Sequence, residues 1–277
     1  MLTALFRSLS YRRPVQRVVN ALHLQRIARK VYYYVARPPG GMLSVEVGTV
    51  RARFYIRNLE ELRTVETDAF KEQHILERLI LTLRPGDVVY DVGANVGLYA
   101  VLLGKVVGER GHVIAFEPVR KHYCRLQENL ALNGSTQVRS FQKALGDHAG
   151  EVKIWVGEVR GDRTGAGAVG CDDHGDDDSQ VADAVEGDRF REAAKLPLPA
   201  LVKIDVEGAE YAVLRGLQET LAQPACKLVM CEIHPQFLPG EVSPEGVLDL
   251  LRSLGFTQVE LYPCEGRVEF HAICRKP

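Results

Sequence analysis

The sequence predicts an open, mostly parallel α/β sheet with helices on both faces. Three observations carry that expectation. Short β-rich runs alternate with helical runs from Asp87 onward, and the last two strands have no helix between them. A glycine-bearing loop, DVGANVG from Asp91 to Gly97, follows the first strand of the alternating block. With 277 residues, 46% of them apolar, the chain has the material for one large domain and an extension.

Residues 1–40 read as one or two short helices interrupted at Pro14. No acidic residue precedes Glu46, whereas Arg7, Arg12, Arg13, Arg17, Arg26, Arg29, Lys30 and Arg37 do. This pattern suits either a helix packed on the domain with a solvated basic face or a surface helix that touches anionic lipid or a partner. Alternation on both sides of Gly48-Thr49, from Leu43 to Ile56, predicts a hairpin. Asp68 is placed to cap a helix with apolar positions Ile75, Leu76, Leu79, Ile80 and Leu83, stopped by Pro85-Gly86. The expected division is an extension over residues 1–66 and a ligand-binding domain over 67–277.

Within that domain VVYDV, HVIAFEP and QVRSFQ read as strands, with LYAVLLGKVV and Arg120 to Leu132 as the helices between them. Asn133-Gly134 closes the second helix. EVKIWV, from Glu151 to Val156, alternates as an added strand. An Asp-rich insertion is expected near residues 157–190. Its aspartates lack the EF-hand spacing, and it reads as a solvated loop, with an acidic lid or metal loop as the functional version. Periodicity resumes with strand LVKIDV, a helix from Ala209 to Leu221, strand KLVMCEI, and a helix from Pro244 to Leu254 opened by Ser243. TQVELY and FHAIC close the chain as an antiparallel pair.

A net charge of -1 argues against a general nucleic-acid binder. No apolar run reaches the roughly 20 residues a bilayer crossing needs, and the N-terminus shows no secretory cleavage pattern. The six cysteines form no C-x-x-C pair and match no zinc spacing, which suits a reducing setting. A cytoplasmic protein is the expectation, with peripheral membrane contact through the basic N-terminus as the alternative to a solvated basic face.

Ligands of such sheets bind beyond the carboxyl ends of the strands. Gly93 lets the backbone turn without a Cβ in the way, and Asn95 tolerates a left-handed conformation while adding a hydrogen-bonding group. Glu117 lies 20 residues after Gly97 (117 − 97), where a carboxylate can accept from ribose hydroxyls. Asp91 ahead of the loop would repel a pyrophosphate and suits a cationic ligand. The residues therefore favour S-adenosylmethionine over NAD.

DVGANVG, FEP, LNG, ALGD and KIDVEGAE, in that order, resemble the FkbM family of class I methyltransferases, over roughly Asp68 to Cys274. The resemblance implies a Rossmann-like seven-stranded sheet with the last strand antiparallel, and S-adenosylmethionine as methyl donor. Carried over by position, Asp91, Gly93, Ala94, Asn95 and Gly97 would wrap the methionyl part. Glu117 would hold the ribose, Pro118 would shape the adenine pocket, and Lys143 and Ala144 would border the adenine. It also implies hydroxyl acceptors on sugars, glycolipids or secondary metabolites.

Methyl transfer is an in-line displacement, helped for a hydroxyl acceptor by a nearby base. Asp205, Glu207 and Glu210 follow one strand, and Glu232 and His234 end the next. Asp205 is expected to face the donor, and Glu207 and Glu210 also suit a helix start. His234 is the expected general base because histidine titrates near neutrality. Lys203 reads as an ion-pair partner. Asp205, Glu232 and His234 can alternatively hold a divalent metal that orients a diol. N-methylation needs less base catalysis and is the alternative chemistry. An NAD-dependent oxidoreductase is disfavoured because the chain lacks Y-x-x-x-K. A catalytically dead binding module would lack the polar groups at these strand ends.

Overall fold

The computed structural model describes residues 25–66, 69–70, 72–155, 179–264 and 266–277. Two compact units divide between Glu77 and Arg78. The expected cap Asp68, the helix break at Pro14 and most of the Asp-rich stretch lie outside the described residues.

In the first unit, helix α1 (Gln25–Ala36) precedes the hairpin β1 (Met42–Val47) and β2 (Val50–Tyr55). Val47 pairs with Val50 across Gly48-Thr49, as the alternation requires. The inward set is Val45, Val47, Ala52 and Phe54, all buried. Helix α2 (Leu59–Glu66) is absent from the sequence expectation. Its signal is present in Asn58 and Glu61: the Asn58 side chain accepts from Glu61 N at 2.8 Å, and Glu61 accepts from Arg57 N at 2.7 Å. Helix α3 (Gln73–Thr82) spans the division between the units, with Ile75, Leu76 and Leu79 buried.

The second unit alternates β3 (Val88–Val92), α4 (Leu98–Val107), β4 (His112–Phe116), α5 (Arg120–Leu132) and β5 (Val138–Phe141). Next come β6 (Ala144–Gly146), β7 (Gly150–Trp155), β8 (Ser179–Glu186), α6 (Gly187–Ala193) and β9 (Leu201–Ile204). The chain finishes with α7 (Glu210–Gly216), α8 (Gln218–Ala222), β10 (Leu228–Ile233), α9 (Pro244–Ser253), β11 (Gln258–Pro263) and β12 (Phe270–Arg275). The seven-stranded sheet runs β11-β12-β10-β9-β3-β4-β5. Only β12 opposes the others, pairing antiparallel with both β10 and β11. β9 and β10 are buried along their whole length, as central parallel strands must be.

The structure corrects two expectations. The helix foreseen from Ala209 to Leu221 is two helices, α7 and α8, meeting at Leu217 (φ −111°, ψ 18°). A Cβ at Gly216 would lie 1.8 Å from the Gly146 carbonyl oxygen, so β6 packs directly against the chain at the break. The insertion expected to reach residue 190 instead becomes regular structure at Ser179. There β8 pairs parallel with β6 and antiparallel with β7 in a separate three-stranded sheet. Asp188, counted among the acidic run, is buried and accepts from the backbone N–H groups of Glu219 (2.7 Å) and Thr220 (2.9 Å) at the start of α8.

Candidate functional site

The site lies at the carboxyl ends of β3, β4, β9 and β10, and its first part is backbone. Gly93, Asn95 and Gly97 take left-handed φ values of 77°, 48° and 89°. Asn95 thus adopts the conformation that asparagine tolerates best after glycine. A Cβ at Gly93 would stand 1.8 Å from the carbonyl oxygen of Asp205, so the two loops touch where any side chain would separate them. Phe116 O accepts from Gly93 N and Ala94 N at 3.0 Å each, fixing the loop to β4. Asn129, on α5, donates to Val96 O at 2.8 Å.

Glu117 is buried and braces this loop. Its Oε2 accepts from Asn95 N and its Oε1 from Val119 N, each at 2.8 Å. A carboxylate has about four lone-pair positions, so capacity for ribose hydroxyls remains. Pro118 is held from β8, whose Gln180 donates to Pro118 O and accepts from Arg120 N, both at 3.2 Å. Val119, Ile154 and Ala182 form a small core beneath that corner. Two residues expected beside the adenine make other contacts: Lys143 pairs with Asp183 at 3.4 Å, and Ala144 opens β6 opposite Ala184.

The second part is charge. Lys203 is opposite Asp91 in the parallel β3–β9 register. Its ammonium donates to Gly93 O at 2.8 Å and lies 3.3 Å from Asp91 and 3.5 Å from Asp205. Burial pushes the Asp91 carboxyl up, against the pull of Lys203. Asp91 is fully buried with the Lys203 ammonium 3.3 Å away, so a cationic ligand would share that carboxyl with the lysine. For Asp205 burial acts upward too, but Lys203, His234 and His271 outweigh it and hold the carboxyl below its usual range.

His234 differs most from its expected role. Nδ1 lies 2.7 Å from Glu210, and Nε2 lies 3.7 Å from Glu232 and 3.9 Å from Asp205. Burial alone would lower its pKa, but the hydrogen bond to Glu210 and the charges of Glu232 and Asp205 raise it to about 10. At neutral pH it is an imidazolium and has no lone pair to act as general base. The ligating atoms of Asp205, Glu232 and His234 do converge within 4.8 Å of one another.

Glu207 holds a different state. It is a non-glycine residue at φ 48°, followed by Gly208 at φ 108°. Such a conformation costs on the order of 1 kcal/mol and clusters at functional sites. Its Oε2 is buried without a hydrogen-bond partner. Burial raises its pKa to about 8, opposed by His234. The structure thus gathers Asp205, Glu207, Glu232 and His234 at one place. Glu232 also faces His271 (3.5 Å) and Arg267 (3.7 Å), which periodicity alone did not single out.

Residues 91–257 match the model of the methyltransferase FkbM domain. The hexuronic acid methyltransferase AglP of Haloferax volcanii is 29% identical over 72% of this chain and 77% of its own length. The 31-O-demethyl-FK506 methyltransferase FkbM of Streptomyces tacrolimicus is 28% identical over 87% of this chain and 95% of its own. Among solved structures, methyltransferase FkbM from Methylobacillus flagellatus shares the fold with a TM-score of 0.52 at 14% identity. That match covers 78% of this chain and 53% of the other, so the chain spans about half of that protein.

Proposed function

The chain belongs to the FkbM methyltransferase family, and from that premise we propose that it methylates a hydroxyl of a sugar, a glycolipid or a secondary metabolite. It is an S-adenosylmethionine-dependent methyltransferase. The donor, when bound, supplies a methyl group on a positively charged sulfur. The Gly93 turn, which no side chain can fill, and the spare lone pairs of Glu117 fit such a ligand.

The observation that carries O-methylation is the state of Glu207 beside His234. A hydroxyl must lose its proton as the new C–O bond forms. Glu207, with its pKa at about 8 and a buried oxygen without a partner, is matched to take it. Ionised Asp205 orients the hydroxyl by accepting its hydrogen bond. The His234 imidazolium stabilises negative charge growing on the acceptor oxygen. The relatives named for a hexuronic acid and for 31-O-demethyl-FK506 support that acceptor class. N-methylation of a neutral amine needs no such proton acceptor and stands as the alternative. The test is a labelled-methyl screen over hexuronic acids, hydroxylated macrolides and amines, with and without chelator. Transfer to amines and to no hydroxyl compound would overturn the proposal, and loss of transfer with chelator would point to a cation between Asp205, Glu232 and His234.

Helix α1 presents Val31, Tyr34 and Val35 to solvent, with Arg37 over the Tyr34 ring at 5.0 Å. Together with the basic composition around it, this supports peripheral binding to an anionic membrane. Among the described residues no helix is long and apolar enough to cross one, and no disulfide joins the described cysteines. Sedimentation with phosphatidylserine vesicles, compared with phosphatidylcholine, tests this. Tyr34→Glu should release the protein.

A further inference from the structure

We propose that Lys203 is a positioning residue that ties the donor loop to the acceptor loop and sets the site's preference between the sulfonium donor and its neutral thioether product. The proposal rests on the methyltransferase reading above.

A buried ammonium is costly unless it is well paired. Lys203 is 2% exposed, and it reaches groups on both sides of the junction. It donates to Gly93 O, it faces Asp91 and Asp205, and its ammonium sits 5.1 Å from the centre of the Tyr99 ring. The backbone already joins these loops, through Asp205 N donating to Val92 O at 3.1 Å and through the close approach of Gly93 to Asp205. The lysine is therefore not required merely to hold two strands together. What it adds is charge at the junction: one ammonium set between the carboxyl groups of Asp91 and Asp205.

That balance acts differently on the two ligands. The donor carries one more positive charge than its product, and the two otherwise differ only by the methyl group transferred. Removing the ammonium makes the junction more negative, which favours the sulfonium and leaves the thioether without that gain. The other charged or titratable groups facing Asp205 are Glu207 on the same loop, His234 and Glu232 from the end of β10, and His271 from β12. They remain in every variant below.

The experiment is isothermal titration of S-adenosylmethionine and S-adenosylhomocysteine into the full chain, read as the ratio of their dissociation constants. In Lys203→Met both ligands should weaken as the loop loosens, and the ratio should move about tenfold toward the sulfonium. Lys203→Arg should stay near the wild-type ratio. Asp91→Asn should move it the opposite way, toward the thioether. A ratio unchanged in Lys203→Met overturns the proposal, whether both affinities fall equally or neither falls. If Lys203→Met shows no cooperative melting, Asp91→Asn decides: a shift toward the thioether supports the proposal and an unchanged ratio overturns it. Wild-type protein that binds neither ligand overturns the donor assignment itself, an outcome distinct from failure of the lysine's role.

Discussion

Between Asp91 and Glu117 the site is shaped by backbone: left-handed turns, amides aimed at one buried carboxylate, and a glycine pressed against the neighbouring loop. Between Asp205 and His234 it is shaped by ionisable side chains, the Asp205 carboxyl held below its usual range and Glu207 and His234 raised above theirs. The first half is fixed by geometry and tolerates almost no added atom. The second is fixed by electrostatics and answers to pH. A shape-built region should fail abruptly on substitution, and a charge-built one should fail gradually and in ways that titrate.

The largest effect expected is at Gly93. Gly93→Ala places a methyl 1.8 Å from the Asp205 carbonyl oxygen at φ 77°. It should abolish donor binding by titration calorimetry and destabilise the fold by about 3 kcal/mol or more. Glu207→Gln should keep donor binding while methyl transfer to a hydroxyl acceptor falls about 100-fold. In the wild type that rate should climb with pH up to about 8 as Glu207 ionises, and the variant should lose the limb. A limb that persists in Glu207→Gln would return the base role to another group.

A smaller effect is expected in stability against pH. His234 is raised in the folded chain to about 10 from 6.5, so its contribution is complete below 6.5 and is lost as pH rises through 10. Glu207, also raised, contributes in the same sense between 4.5 and about 8. Melting temperatures of donor-free protein with chelator should fall across pH 6.5 to 10, and His234→Asn should flatten the fall. The smallest effect is at Asp188, outside both halves. Asp188→Asn should cost about 1 kcal/mol by weakening its bonds to Glu219 N and Thr220 N, with donor affinity unchanged.

The same contrast explains what the sequence made legible. The glycine-loop half was readable because its requirements are local: Gly93, Asn95 and Gly97 take left-handed φ values, and Glu117 follows the adjacent strand. The residues of the charged half were readable as a group because they lie at or after the ends of two neighbouring strands. Its chemistry was not. Whether His234 is a base depends on three carboxylates brought to it by α7, by β10 and by the end of β9, and no spacing encodes their sum. Lys203 was visible as a partner of Asp205, but its tie to Gly93 needs the β3–β9 register. β8 escaped notice because its alternation, buried only at Ala182 and Ala184, begins directly after an aspartate run.

The small sheet has a consequence for what a distant substitution can do. Trp155 pairs with Ser179 and Gly150 with Ala184, so β7 and β8 keep one register from end to end. That register sets Gln180 opposite Ile154 and carries its side chain to the Pro118 carbonyl. A slip of one residue between the two strands would turn Gln180 to the other face of the sheet. The corner after Glu117 thus takes its alignment from a rung 62 positions further along the chain.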